Sequence, residues 1–109
     1  MMQANEIRQR FTKIEETIHQ AAATCERSDN VSDDLKSSIA ELDQGSERAR
    51  QELQQSQDQK SILQCVDDLE ALGDRARDAC QRSDNIDEAL KNAVMKAHQE
   101  LSELKHQLH

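Results

Sequence analysis

Proline, tryptophan and tyrosine are absent from this 109-residue chain, glycine occurs twice and phenylalanine once. Without proline, no residue forbids helix outright. Aromatic residues are almost missing and β-branched runs are few, so strand-forming material is scarce. No apolar run approaches the ~18 residues of a membrane-spanning helix. The opening residues Met1-Met2-Gln3-Ala4-Asn5-Glu6 carry neither the basic nor the apolar segment of a secretory leader. A cytoplasmic location is therefore expected. Basic charge is also in short supply. There are 22 Asp and Glu against 14 Lys and Arg, a net charge of -8, divided evenly between the two halves. An acidic surface repels phosphate backbones and anionic membranes, which argues against nucleic-acid and membrane partners. Cys25, Cys65 and Cys80 form an odd set without metal-type spacing. They read as reduced thiols rather than a disulfide framework.

What is present is helix-forming. Ala, Leu, Glu, Gln, Lys and Arg dominate. A charged fraction of 33% with few aromatics raises the prospect of disorder, but the apolar residues are strongly periodic. They recur at alternating spacings of four and three, the heptad seam of packed helices. A first helix over residues 4–28 carries Ile7, Phe11, Ile14, Ile18, Ala21 and Cys25. A second, about 33–54, carries Leu35, Ile39, Leu42, Ser46, Ala49 and Leu53. A third, about 61–83, carries Ile62, Val66, Leu69, Gly73, Ala76 and Cys80, widened on its flanks by Leu63, Cys65, Leu72 and Ala79. A fourth, about 88–108, carries Leu90, Val94, Ala97, Leu101, Leu104 and Leu108. Only Ser46 and Gly73 break the apolar character of the seam.

The segment Cys25–Lys36 recurs 55 residues later as Cys80–Lys91, with seven of twelve pairs identical. The seams align at the same offset, so residues 1–55 and 56–109 read as two copies of one helical hairpin within a single domain. In each copy a corner is expected. Asn30 and Asn85 suit the left-handed position that ends many helices, and Val31 and Ile86 would pack back on the last turn. Ser32 and Asp87 are good N-caps, followed by acidic residues that the helix dipole favours. The polar stretch Gln51–Lys60 is expected to join the copies, with Ser61 and Gln64 as a capping box. Packing hairpin on hairpin gives an all-α, antiparallel up-down four-helix bundle. The alternative is one long antiparallel helical hairpin, because the seam stays in phase through Ser28 and Ser32. Many seam residues are small, so the core is lean, and a homodimer is expected, with the widened face of the third helix the first place to look.

Candidate chemistry is sparse. Glu16…His19 and Glu103…His106 both spell Glu-x-x-His, which in metal-carboxylate bundles projects inward. The heptad phase places all four outside, so no metal site and no cofactor is expected. Histidine phosphotransfer domains share this architecture and length, and the chain resembles them in those respects only. Their accepting His is followed by a Lys-Gly pair that neither His19 nor His98 has. Cys25 and Cys80 fall on the seam at helix C-termini, where thiolate is disfavoured, whereas Cys65 falls at an edge and is the better candidate for an intermolecular disulfide. Arg27 and Arg82 are read as bonding last-turn carbonyls or the adjacent aspartate, with a paired docking mark as the alternative. No catalytic residues are assigned. The expected function is non-enzymatic: an adaptor, regulatory or structural protein acting through helix faces on an unknown partner. The other readings are a phosphotransfer-like signalling module and a carboxylate/histidine metal-binding bundle.

Overall fold

A computed structural model describes residues 4–29, 31–55, 58–83 and 86–108. They form four helices: α1 (Ala4–Arg27), α2 (Asp33–Gln55), α3 (Gln59–Arg82) and α4 (Glu88–Leu108). Each helix packs on its two neighbours around a square. α1 touches α2 and α4, and α3 touches α2 and α4. The pairs run antiparallel. Arg8 of α1 reaches Leu53 of α2 while His19 reaches Asp43, so numbers rise along one helix as they fall along the other. The long axis is 42 Å, about the length of a 24-residue helix at ~1.5 Å per residue plus its ends.

The helices end where the repeated corners were expected, so the single long hairpin is not the fold. The chain leaves helix after Arg27 and re-enters it at Asp33, and does the same between Arg82 and Glu88. Ser32 caps α2 by accepting the Leu35 N–H at 3.2 Å, and Asp87 caps α4 by accepting the Ala89 N–H at 2.9 Å. Asn30 and Asn85 lie outside the described residues. Val31 and Ile86 are partly buried against the core, as a contact back onto the helix end requires. The C-terminal carbonyls of α1 and α3 find another partner that the sequence reading did not anticipate. The Ser28 hydroxyl donates to Thr24 O, and the Ser83 hydroxyl donates to Ala79 O, both at 2.8 Å. Ser83 itself is extended, with φ -87° and ψ 133°.

The junction between the halves needs correction at one point. α3 starts at Gln59, with Asp58 in the N-cap position, not at Ser61. Ser61 lies inside the first turn and its hydroxyl donates to Asp58 Oδ2 at 3.2 Å, while Gln64 bonds Asp68 rather than closing a box. At the far end of the same junction α2 has no basic residue in its last turn. Arg8 supplies the charge from α1, donating to Leu53 O at 3.0 Å, where the helix dipole is negative.

All 24 seam positions are buried, Ser46 and Gly73 included. Ile18, Leu35, Leu90, Leu101 and Leu104 are fully enclosed, each contributing about 1.5–3 kcal/mol by burial. Ser46 is enclosed as well, and its hydroxyl is satisfied within α2 by Asp43 O at 2.7 Å. One chain thus closes its own interior, and its radius of gyration of 13.7 Å is near the ~13 Å expected for a folded chain of this length. No described helix is long and apolar enough to cross a membrane.

Candidate functional site

Residues flanking the seam decide the character of each interface. Within a hairpin the flanks are charged. Between hairpins, on the α2/α3 side, small and apolar residues meet as well, beside ion pairs such as Arg75–Glu41: Gly45 faces Leu72, and the Cys65 thiol sits 3.8 Å from Ala49 O. The result is two kinds of feature, a pair of polar clusters inside the hairpins and a cleft between them.

The first polar cluster joins α1 to α2. His19 Nδ1 lies 2.5 Å from Asp43 Oδ1, and its Nε2 lies 3.7 Å from Glu15 Oε2. Arg50 approaches the same Glu15 oxygen at 3.7 Å. Among the described residues that oxygen is buried without a hydrogen-bond partner, and these longer contacts meet its charge. The second cluster joins α3 to α4. His98 Nε2 lies 2.5 Å from Asp74 Oδ1 and 3.2 Å from Arg77 Nη1. Glu70 completes the group, with Lys105 Nζ at 3.4 Å and the Ser102 hydroxyl at 3.4 Å. The His98 and Glu70 side chains are only 14% and 16% exposed. The 55-residue repeat relates the two clusters. Glu15 corresponds to Glu70 and Arg50 to Lys105, while the His19–Asp43 pair becomes Asp74–His98, with the two residue types exchanged between helices.

Gly73 helps to place the second cluster. A Cβ there would stand 3.2 Å from Leu101 Cδ1 and about 4 Å from His98, so the bare backbone lets α4 come close at the histidine. Sequence reasoning singled out His98 but not Glu70 or Asp74. Their i, i+4 spacing on α3 was visible, but the residue opposite them depends on the register of α3 against α4, which spacing alone does not provide.

The expected outward positions hold. Glu16, His19, Glu103 and His106 are all exposed, so the two Glu-x-x-His motifs do not converge. His19 and His98 both face carboxylates. Among the described residues Arg82 finds its partner on another helix. It donates to Asp34 of α2 at 3.0 Å and so ties the two corners together at one end of the bundle, whereas Arg27 contacts Thr24 at 3.5 Å. Cys25 and Cys80 are buried, and burial pushes both thiols up. Cys65 is partly buried. Desolvation, with the nearby Glu52 and Asp68 carboxylates, pushes its thiol up to about 11. It is therefore a poor thiolate at neutral pH, which weakens its candidacy for a disulfide.

The cleft runs along α2 and α3 and encloses about 560 Å³. Gly45, Ala49, Cys65, Leu69 and Leu72 form its floor, and Arg48, Lys60, Glu52 and Asp68 stand at its rim. No family model, curated protein or solved structure matches this chain. The residues themselves therefore carry the functional reading.

Proposed function

We propose that this protein is a non-enzymatic helical interaction module that pairs with a second copy of itself through the α2/α3 face. The observation that supports this most directly is the cleft. Its floor is apolar and half-open, with Leu72 and Cys65 only partly covered. Leu72 is the largest apolar side chain left within reach of a partner there. The rim carries both signs of charge. Under a two-fold axis the same patch meets itself, and a mixed rim allows cation to meet carboxylate across that axis despite the net charge of -8. The bundle face measures about 42 by 21 Å, comparable with the ~800 Å² that each partner contributes to a standard interface. Adaptor, regulatory or structural roles all follow from such a surface, because helix faces recognise partners through rows of side chains spaced by turns.

Light scattering across the micromolar range tests the reading, with Leu72→Glu as the interface variant. Wild-type protein is expected to be dimeric, and the variant monomeric with unchanged helix content. A wild-type chain that stays monomeric at high micromolar concentration overturns the self-pairing, as does a Leu72→Glu variant that remains fully dimeric.

A further inference from the structure

We propose that Glu70, Asp74 and His98 form a binding site for one divalent transition-metal ion of the zinc type. Glu70 and Asp74 stand one turn apart on α3, so their carboxylates leave the same side of the helix. His98 meets them from α4. One carboxylate oxygen from each acid and one ring nitrogen lie within 4.8 Å of one another. Small side-chain movements bring three such atoms to the ~2.0–2.2 Å bond lengths of zinc. One imidazole and two carboxylates form a borderline donor set, better suited to zinc and its transition-series neighbours than to magnesium alone. Three protein ligands leave a fourth tetrahedral position. Of the three ligands, Glu70 also borders an open depression with Asp67, Ser102, Lys105 and His106.

A hydrogen-bond conflict points to the same place. Nε2 of His98 is 2.5 Å from the Asp74 carboxylate and 3.2 Å from an Arg77 N–H group. The first contact needs a proton on Nε2, and the second needs its lone pair. No protonation state satisfies both. A cation between Nε2 and Asp74 removes the conflict, because lone pair and carboxylate then both point at the ion. The two side-chain cations already present each have another carboxylate to turn to. Arg77, which also lies 3.9 Å from Asp74 Oδ1, contacts Asp78 at 3.2 Å, and Lys105 reaches Asp67 at 3.9 Å.

The first hairpin supplies a control within the same chain. Glu15, His19 and Asp43 occupy the equivalent positions, yet the His19 ring offers Nδ1 to Asp43 and Nε2 to Glu15. The ring stands between the two carboxylates, so they do not converge on one nitrogen. One ion per chain is therefore expected, not two.

The experiment is calorimetric titration of the full chain, stripped with chelator, using zinc chloride and, separately, magnesium chloride. Wild-type protein should bind one zinc ion and show no comparable response to magnesium. Losing an outer-sphere partner costs about 10–100-fold in metal affinity, so His98→Ala and Glu70→Gln, which remove ligands, should weaken zinc by about 100-fold or more. His19→Ala should leave zinc binding unchanged. Circular dichroism in chelator checks that each variant keeps its helices. If His98→Ala loses them, the near-isosteric Glu70→Gln carries the test, and cobalt substitution gives a second readout. The visible absorption of four-coordinate cobalt should appear in wild-type protein and disappear in Glu70→Gln. No zinc binding to wild-type protein overturns the proposal, and so does zinc binding that is undiminished in Glu70→Gln.

Discussion

Replacing each glycine by alanine probes how closely the helices approach. In both variants the helix interior gains about 1 kcal/mol of intrinsic propensity. The outcome then depends on what the new methyl group meets. At Gly45 it would lie 2.6 Å from Leu72 Cδ1 and 3.3 Å from Leu69 Cδ1. The first distance is the more severe clash on paper. Leu72, however, lies along the cleft and is only partly buried in the single chain, so its end can swing aside for about 0.5–1.5 kcal/mol, while the buried Leu69 must yield by a few tenths of an ångström. Gly45→Ala should therefore stay within about 1 kcal/mol of wild type. At Gly73 the new methyl would lie 3.2 Å from Leu101 Cδ1. Leu101 is 0% exposed and has nowhere to go. Overpacking an enclosed site costs about 1–3 kcal/mol, which offsets the propensity gain and leaves Gly73→Ala up to about 2 kcal/mol less stable than wild type. Chemical denaturation followed by circular dichroism measures both. About 1 kcal/mol corresponds to roughly 4–8 °C in Tm for a domain near this size, and Gly73→Ala is expected to be the less stable of the two. A Gly73→Ala variant that gains the full ~1 kcal/mol of helix propensity would refute the close α3/α4 approach and, with it, the placement of His98 beside Asp74.

Three further outcomes follow from the same geometry. Ser32→Ala and Asp87→Ala should each cost about 1 kcal/mol, and their sum should hold in the double variant because the caps start different helices. Urea denaturation of the single and double variants checks this. Ser46→Ala should be neutral or stabilising by up to about 0.5 kcal/mol, because its hydroxyl is bonded only within α2 and the alanine methyl suits an apolar surround; a loss above 1 kcal/mol in the same assay would contradict it. Cys65 should react with a thiol reagent slowly at pH 8 and progressively faster as pH approaches about 11. Its folded value is raised above the ordinary 9.0, so any stabilisation it brings is present below pH 9 and lost between there and about 11. Cys65→Ser should flatten the stability profile in that window.

The seam was legible because burial in a bundle imposes one periodicity on every helix, and side chains as different as Phe11 and Cys80 keep to it. The corners were legible for a related reason: Ser32 and Asp87 are capping residues placed just ahead of a new apolar stripe, twice. The start of α3 was misread because Asp58 and Ser61 are both competent caps three residues apart, and local chemistry does not choose between them. The serine bonds at the helix ends escaped notice because the reading of those ends rested on Asn30 and Asn85, and Ser28 entered only as a position through which the seam stays in phase. The Glu70–Asp74–His98 group was not legible. It needs the rotation of α3, the register of α4 and the slim backbone at Gly73 together, none of which a single helical pattern specifies. The exchange of His19 and Asp43 for Asp74 and His98 was present in the 55-residue offset. It acquires meaning only once each pair is seen to span its own hairpin.

The bundle requires the chain to turn back at each repeated corner. Spin labels at the exposed positions Glu6 and Gln54, in a background where the three cysteines are replaced by alanine, measure this directly by electron-electron resonance. The two sites belong to neighbouring antiparallel helices whose axes should be about 8–10 Å apart, so a short distance is predicted after allowing for the label arms. A separation of roughly 70 Å, the span of 48 residues in unbroken helix at ~1.5 Å each, would contradict it.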